Sequence, residues 1–435
     1  MSVCLRYGAG SVVIDLREEN CCAVIQPKLP PAVGNVEAAI ERCLEEPVGG
    51  EPLSKILAGR RRVVVAIPDM TRGGAVQTYL PPLLRFIGRC GVARKRVTLL
   101  TATGAHRRHT DAEREALVGR EVARNWTVGD HDADDGNDEI APLDAEMPLW
   151  VDRRALEADC LILAGVLSFH YSAGFGGGRK LIAPGLCGRA TVQALHRRTL
   201  ANIDRVGNWR GRTATLRPNP FNEALEETAR RVGPHFALNV TVGGQREIIG
   251  LSAGDFIQSH QAACLQYAEM FSFAIRERLP LVVASCGGRP YDINLYQAHK
   301  SLDNSFRAVA PGGTIILLAE CAEGWGPESF VRWLAIGSLQ EHRERLEGNF
   351  EVAGHTTYAL KWKATQCRVI IVSDVLARRV AGGDGPLWLI SGGRSPFAIE
   401  IVRDVNEALA GLGVTSGSTY FLAPIASSSL PKIAG

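Results

Sequence analysis

A short stretch of the sequence carries two histidines and a lysine around a glycine-rich loop. Nine residues separate His170 from Lys180, and fifteen separate Lys180 from His196. Histidine can move protons near neutral pH or bind a metal through a neutral nitrogen. Lysine can neutralise a phosphate or form a covalent link to a cofactor, and the sequence favours neither. Together these residues predict a bound anion, a metal or a covalent cofactor beside the loop glycines Gly174, Gly176, Gly177 and Gly178.

Two familiar motifs are absent from this stretch. The run GFGGGRK is not a P-loop, because Leu181 stands where that motif has serine or threonine. The sequence has no HExxH motif and no cysteine or carboxylate set at zinc-site spacing, so a zinc site of three histidines is a weak alternative. His196 considered alone is more typical of a helix surface. We expect a helix over residues 189–200 to carry it.

Three apolar runs each end in a loop that bears polar side chains. The runs and the residues that follow them are 61–67 with Asp69 to Arg72, 96–102 with His106, and 160–167 with His170. Such runs are typical of buried strands in a parallel sheet. Ligands of open α/β sheets bind beyond the carboxyl ends of the strands. The three loops therefore predict one site at that edge.

Each of these polar residues also has a structural interpretation. His106 or His170, taken alone, is more often a loop histidine that makes structural hydrogen bonds. Arg72 can pair with Asp69, or it can grip a substrate carboxylate through two parallel hydrogen bonds. We favour a site because the polar residues recur at the ends of three strands.

The order of elements predicts an α/β fold. Strands and helices alternate, which is typical of mainly parallel sheets flanked by helices. Residues 237–249 predict a hairpin, 252–267 a helix, and 387–391 one of the strands of a second unit that begins near residue 279. A helix over residues 294–308 places Gln297 and Lys300 on one face, although a solvated face is the simpler interpretation. We expect two domains, residues 1–275 and 276–435, with the active site in the cleft between them.

Composition narrows the class of protein. Hydrophobic residues make up 46% of the chain and the net charge is +3, which fits a globular protein and disfavours nucleic acid or a membrane as partner. The 11 cysteines include no CxxC pair and predict reduced thiols. The chain has no basic segment followed by an apolar core at its start, and no apolar run near the ~20 residues that span a bilayer. We expect a cytoplasmic protein.

The full set of motifs resembles the nickel-dependent lactate racemase family of 2-hydroxy acid racemases and epimerases. The likeness is carried by DMTR at 69–72, TGAH at 103–106, the His-Asp pair at 131–132, and HYSAGFGGGRKLIAPG followed by His196. It extends into the second domain through YQAHK at 296–300 and the segment 320–324. It covers nearly the whole chain in the same order.

The resemblance implies an isomerase that inverts C2 of a 2-hydroxy acid by reversible hydride transfer through a 2-keto acid. It implies a nickel-pincer nucleotide as cofactor, a pyridinium mononucleotide that holds nickel through two sulfurs and a carbon. Lys180 would make the covalent link to that cofactor, and His196 would supply the remaining nickel ligand. His106 and His170 would be the paired acid and base. Proteins that mature the cofactor would be partners.

The resemblance also implies which residues surround the substrate. Asp69, Met70, Thr71 and Arg72 would contact the cofactor and substrate, with Arg72 on the substrate carboxylate. The second domain would complete the pocket through Tyr296, Gln297 and Lys300.

Two positions depart from the family pattern. Gly73 stands where the family usually has proline, and Gly176 stands where serine is common. Both bear on the shape of the substrate pocket, so the sequence leaves the 2-hydroxy acid open. Two other functions also stay open. One is an aldolase or lyase in which Lys180 forms a Schiff base with substrate, and the other is a non-catalytic binding protein for a nucleotide or sugar acid.

Overall fold

The computed structural model describes residues 2–72, 74–202, 213–244, 246–390, 396–412 and 419–433. Gly73, part of the polar segment 205–220 and the side chain of Arg72 lie outside this description. The described residues divide into two units. The central unit comprises residues 29–202 and 213–270, and the terminal unit comprises residues 2–28 and 271–433.

Strands and helices alternate along most of the described chain. The strands are β1 (Ser2–Tyr7), β2 (Gly10–Asp15), β3 (Cys21–Val24), β4 (Val63–Pro68), β5 (Val97–Ala102), β6 (Thr127–Asp130), β7 (Asn137–Asp144), β8 (Met147–Asp152), β9 (Cys160–Val166), β10 (Phe169–His170), β11 (Gly174–Phe175), β12 (Phe236–Val242), β13 (Ile248–Gly254), β14 (Ser272–Ile275), β15 (Leu279–Ser285), β16 (Val309–Leu318), β17 (Arg368–Val372), β18 (Ile399–Val402), β19 (Tyr420–Ala423) and β20 (Leu430–Ile433). The helices are α1 (Val36–Glu45), α2 (Leu53–Leu57), α3 (Val76–Arg89), α4 (Asp111–Val118), α5 (Arg120–Asn125), α6 (Arg153–Leu156), α7 (Arg189–Arg197), α8 (Pro220–Val232), α9 (Gln258–Phe271), α10 (Leu295–Phe306), α11 (Glu328–Leu334), α12 (Leu339–Gly348), α13 (Val352–Lys363), α14 (Asp374–Ala381), α15 (Leu387–Ile390) and α16 (Val405–Gly411).

The central unit is built on a sheet with strand order β13-β12-β9-β4-β5-β6. Its strands are parallel except for β13, which pairs antiparallel with β12 and confirms the predicted hairpin. Every residue of β4 is buried, as a continuous apolar run in a parallel sheet requires. The predicted α/β class with mainly parallel sheets is confirmed.

Helices cover both faces of the central sheet. Side chains of β4 alternate between two cores, with Val63 and Val65 on one face and Val64 and Ala66 on the other. The first core includes residues of α1 and α3, and the second includes residues of α7 and α8. The histidine of α7 is therefore carried on one face of the sheet by a helix that the core holds in place.

The terminal unit has a second sheet, with order β18-β17-β16-β15-β19-β3 and all strands parallel. Residues 2–28 belong to this unit, which departs from the predicted domain of residues 1–275. The reason is long-range pairing: β3 adds to β19 at the sheet edge, and Tyr420 Oη donates to Arg17 O at 2.7 Å. A strand signal near the start of a chain does not say which sheet the strand will join.

Two predicted elements are wrong in kind or in position. Residues 387–390 form the short helix α15 rather than a strand, because Pro386 directly precedes them and Trp388 Nε1 reaches back to Leu334 O at 2.9 Å. An apolar run this short does not distinguish strand from helix. The helix expected from residue 252 begins at Gln258, since residues 252–254 complete β13.

Candidate active site

The three polar loops leave the central sheet at adjacent positions of one edge. β9, β4 and β5 are neighbours and parallel, so their carboxyl ends lie side by side. His170 follows β9, Asp69 follows β4 and His106 follows β5. Neighbouring strands are about 4.8 Å apart. All three loops therefore begin at the same end of the sheet, where the carboxyl ends of these strands lie side by side.

His106 pairs with the carboxylate of Asp69. His106 Nδ1 lies 2.5 Å from Asp69 Oδ2, and Thr71 Oγ1 donates to Asp69 Oδ1 at 2.7 Å. Asp69 is buried, whereas the side chain of His106 is 57% exposed. Because the carboxylate accepts, Nδ1 carries the hydrogen and Nε2 is the unprotonated nitrogen of the neutral ring. This is the geometry of a base oriented by a carboxylate.

His170 is held in the opposite tautomer. The backbone amides of Ser172 and Ala173 donate to His170 Nδ1 at 3.2 and 3.1 Å. Backbone N–H groups can only donate, so Nδ1 is unprotonated and Nε2 carries the hydrogen in the neutral ring. The ring also stacks on Tyr171 at a centroid distance of 5.4 Å. His106 therefore offers an acceptor at Nε2, and His170 offers a donor.

The ring of Phe221 lies among three predicted site residues. Its centroid is 5.5 Å from that of His196, 6.5 Å from that of His170 and 6.0 Å from Lys180 Nζ. Phe221 is fully buried in the first turn of α8, whose N-terminus is capped by the side chain of Asn219. We call Phe221, His170, Lys180 and His196 the Phe221 cluster.

His196 has the hydrogen-bonding pattern of a metal-binding histidine. Its Nδ1 donates to Val192 O, one turn back on α7, at 2.7 Å. Burial lowers the pKa of His196 to about 4. The bond to Val192 O raises this pKa, and the charge of Lys180 lowers it. The ring is therefore neutral at pH 7, with Nε2 unprotonated. A carbonyl on one nitrogen and a lone pair on the other is how proteins present imidazole to a metal.

A buried arginine organises the loop between His170 and Lys180. Arg179 is fully buried, and its Nη2 donates to Ala173 O at 3.0 Å and to Phe175 O at 3.1 Å. Its Nε donates to Asn222 Oδ1 of α8 at 2.8 Å, and Nη1 lies 2.8 Å from His260 Nε2 of α9. Burial lowers the pKa of Arg179 only to about 10, so it stays charged at pH 7. The loop is thus tied to two helices.

Two of the loop glycines lie close to neighbouring side chains. A Cβ on Gly178, which has φ 50°, would lie 2.5 Å from the His260 ring. A Cβ on Gly176 would lie 2.5 Å from Ser168 Oγ. A side chain at residue 176, where serine is common in the family pattern, would therefore require the Ser168 hydroxyl to move.

His131, the histidine of the His-Asp pair at 131–132, is bonded to the carboxylate of Asp152. His131 is fully buried, and its Nδ1 lies 3.0 Å from Asp152 Oδ2 while Nε2 lies 3.0 Å from Cys187 O. Although burial opposes it, Arg154 and His131 hold the pKa of Asp152 at about 2. This network fixes the segment that follows Lys180.

Three predicted substrate residues lie on α10 in the terminal unit. Lys300 Nζ donates to Gln297 Oε1 at 2.6 Å, as their shared face predicts. Tyr296 packs edge-on against Phe330 at a centroid distance of 5.5 Å. That they complete the substrate pocket stays a prediction.

Within the part of the chain that the structure describes, no three His, Cys, Asp or Glu side chains are arranged to hold a metal ion. A three-histidine zinc site among these residues is therefore not supported.

Comparisons with known proteins now decide the family. The lactate racemase N-terminal domain matches residues 7–207, and the lactate racemase C-terminal domain matches residues 276–380. The lactate racemase of Thermoanaerobacterium thermosaccharolyticum is 32% identical over 335 residues, which are 75% of this chain and 76% of that protein. The chain belongs to the lactate racemase family. It is an isomerase of the racemase type.

A solved structure and a second sequence relative agree with that family assignment. The lactate racemase apoprotein from T. thermosaccharolyticum matches with a TM-score of 0.87 at 27% identity, over 99% of this chain and 100% of that one. The lactate racemase of Lactiplantibacillus plantarum is 29% identical over 349 residues, 78% of this chain and 80% of that protein. A Thermotoga maritima protein shares the fold, with a TM-score of 0.66 at 17% identity over 92% of this chain and 98% of that one.

One further finding concerns membranes. Among the described residues, the lactate racemase family member has no helix that is both long and apolar enough to span a bilayer.

Sequence reasoning missed several residues that support the site. Phe221 and Asn222 were visible only as the start of an ordinary helix, and Arg179 only as the neighbour of Lys180. His109, which contacts the turn after β4, stands in the same loop as His106. The single available signal was the polarity of that loop, which does not tell one histidine from the other.

Proposed function

We propose that this lactate racemase family member interconverts the enantiomers of lactate or a closely related 2-hydroxy acid, with a nickel-pincer nucleotide attached to Lys180. The observation that carries the proposal is the pair of histidines of opposite tautomer, His106 and His170, at the ends of nearby strands. The relatives named above are lactate racemases, which makes lactate the first substrate to test.

The two histidines divide the proton chemistry. His106 Nε2, with Asp69 behind it, accepts the hydroxyl proton of the substrate. Loss of that proton together with hydride from C2 leaves a planar 2-keto acid. His170 Nε2–H donates a hydrogen bond to the substrate oxygen, a role that suits a neutral imidazole. Return of hydride to the opposite face of C2, and of the proton from His106 Nε2 to oxygen, yields the other enantiomer.

The residues present fit the proposed cofactor. When bound, the nickel-pincer nucleotide supplies the hydride acceptor and donor. Lys180 and His196 lie against the same Phe221 ring, so one cofactor can engage both. The neutral imidazole of His196 suits nickel, and its Val192 bond leaves Nε2 as the ligand atom. The terminal amine of Lys180, in its deprotonated form, would make the covalent link to a thiocarboxyl group of the cofactor as a thioamide, with loss of water.

The substrate carboxylate needs cationic or N–H donors. Arg72 lies three residues beyond Asp69 at the end of the same turn, and Gln297 with Lys300 forms a hydrogen-bonded pair on α10. A guanidinium can grip a carboxylate through two hydrogen bonds. We propose Arg72 for that role, with Met70 and Thr71 against the cofactor and Tyr296 beside the pair.

Isotope transfer tests the reaction. The chain is produced together with cofactor-maturation proteins, and each lactate enantiomer is followed by chiral chromatography. Lactate deuterated at C2 should give product that keeps the label, and unlabelled lactate in D₂O should take up no deuterium at C2. Solvent deuterium at C2 would contradict hydride transfer. Failure with every member of a 2-hydroxy acid panel would contradict the function.

Intact mass tests the cofactor without activity. The wild-type chain should carry a mass increment on the Lys180 peptide and about one nickel per chain, whereas Lys180→Arg should carry neither. His196→Gln should keep the increment and lose most of the nickel. Borohydride trapping of substrate on Lys180 would instead favour the Schiff-base alternative.

A further inference from the structure

A buried histidine lies directly behind the turn that follows β4. The side chain of His109 is 4% exposed, although it belongs to the same loop as the exposed His106. Met70 N donates to His109 Nε2 at 3.3 Å. Met70 is the first residue of the 3₁₀ turn Met70–Arg72, and it directly follows Asp69. A side chain from the β5 loop therefore holds the backbone of the β4 loop.

The tautomer of His109 follows from its two partners. The Met70 amide can only donate, so His109 Nε2 is the acceptor. His109 Nδ1 lies 2.9 Å from Asp130 Oδ1 and therefore carries the hydrogen. The other carboxylate oxygen, Asp130 Oδ2, accepts from His109 N at 2.9 Å and from Arg114 Nη1 at 3.0 Å. The imidazole is thus held at both nitrogens, and Asp130 is held by Arg114.

The two loops are joined at two points that lie close together in sequence. Asp69 bonds His106 through its side chain, and the next residue, Met70, bonds His109 through its backbone. The first bond holds the carboxylate of Asp69, and the second holds the backbone of the next residue. With both bonds made, the carboxylate of Asp69 and the ring of His106 keep one relative orientation. A displacement of about 1 Å in such a pair can cost on the order of 100-fold in rate.

We propose that His109 is a positioning residue for the reaction, which fixes the turn that presents Asp69 to His106. This inference rests on the proposed function, because it assigns His109 to the support of the proposed base. His109 touches neither substrate nor cofactor in this role. Its effect is carried by the Met70 amide.

A second histidine in the central unit provides a matched control. His235 Nδ1 also accepts a backbone amide, that of Leu161, at 3.2 Å. Leu161 lies near the start of β9, so His235 is at the opposite end of the strands from the site. His235→Phe and His109→Phe each remove one bond between an imidazole and a backbone amide. Only the second should affect the chemistry.

Kinetics of the holoenzyme test the proposal. His109→Phe should lower kcat roughly 10- to 100-fold while KM changes by less than about twofold. His109→Gln, which can accept from Met70 and donate to Asp130, should recover most of the loss. His235→Phe should keep the wild-type kcat. Equal kcat values for His109→Phe and His235→Phe would overturn the proposal. If His109→Phe does not fold, wild-type kcat in Asp130→Ala, which removes the acceptor of the His109 Nδ1–H bond, would overturn it.

Amide exchange provides a readout that needs no substrate. The chain has four methionines, so ¹⁵N-methionine labelling gives few signals, and Met70→Leu identifies the one that matters. The Met70 amide should exchange at least tenfold faster in His109→Phe than in wild type, with Met147 of β8 unchanged. Unchanged Met70 exchange would refute the positioning role. A wild-type chain that racemises nothing would instead refute the proposed function, with the exchange result still standing.

Discussion

The Phe221 cluster is held from inside the core, whereas the Asp69–His106 pair is held from loops at the surface. Arg179, which anchors the loop of the cluster, is fully buried and bonds backbone carbonyls and two helices. The His106 side chain is 57% exposed, and its ring is hydrogen-bonded to the buried carboxylate of Asp69. The Phe221 cluster is therefore fixed by buried contacts of the core, whereas the His106 ring is fixed mainly by one hydrogen bond at the surface.

This difference matches the work proposed for each side. A covalent cofactor needs a rigid binding site. Buried hydrogen bonds keep a site rigid, because breaking them leaves polar groups without partners. A base that collects a proton from substrate must be reachable, which exposure allows. We therefore expect substitutions on the surface side to change rate, and substitutions on the core side to change stability and cofactor loading.

Asp69→Asn should give the largest effect on rate. The amide cannot accept from Nδ1 with the strength of a carboxylate and permits the wrong tautomer, so kcat should fall about 100- to 1000-fold. The melting temperature and the Lys180 adduct should stay near wild type. Thr71→Val, which removes only the hydroxyl bond to the same carboxylate, should cost less than about tenfold in kcat. Similar kcat losses for both variants would break the assignment of Asp69 to His106.

Arg179→Met should give the largest effect on stability. It leaves the carbonyls of Ala173 and Phe175 without their guanidinium donor, and the free energy of unfolding should fall by about 3 kcal/mol. The fraction of chains modified at Lys180 should fall with it. Arg189→Met removes a surface pair with Asp134 and should cost well under about 1 kcal/mol. Urea unfolding of both apoproteins measures this, and equal stabilities would show that the core anchor is unimportant.

The strands and the polar residues that follow them were more readable in sequence than the packing that holds the Phe221 cluster. Strands β4, β5 and β9 were predictable because both faces of a parallel sheet are covered, which produces continuous apolar runs. Their loops followed as polar residues at strand ends. The adjacency of the three strands was an inference from the α/β pattern, and β13 and β3 joined edges that no local signal specified.

The core side depends on contacts between residues distant in sequence. Phe221 lies 41 residues beyond Lys180, and its ring reaches the cluster only because α8 packs on the same face as α7. In sequence it is one apolar residue of an amphipathic helix. Arg179 was hidden for another reason, since an arginine beside a glycine loop is usually exposed, whereas this one satisfies carbonyls of the loop itself.

Phe221→Leu should show whether the Phe221 ring shapes the cofactor site or only contributes to packing of the core. Loss of the ring leaves a gap beside Lys180 and His196, with an expected stability cost of about 1–2 kcal/mol. Phe236→Leu, at an equally buried ring in β12, should cost a similar amount. Nickel per chain and kcat should fall in the first variant alone. Matching nickel contents would mean that the Phe221 ring packs the core without shaping the cluster.

Acid should weaken the core side through His260. Burial, and then the neighbouring Arg179, hold the pKa of His260 well below its usual value, so the folded ring stays neutral while the unfolded chain takes up a proton below about pH 6.5. Because the unfolded state then binds more protons, stability falls as pH drops below that value. Between pH 7.5 and 5.5 this single group should contribute a loss of about 1 kcal/mol. His260→Gln removes the titrating ring, so its urea-unfolding free energy should fall less over that interval than that of wild type. An equal fall in unfolding free energy for both chains would mean that protonation of His260 does not cause the loss of stability in acid.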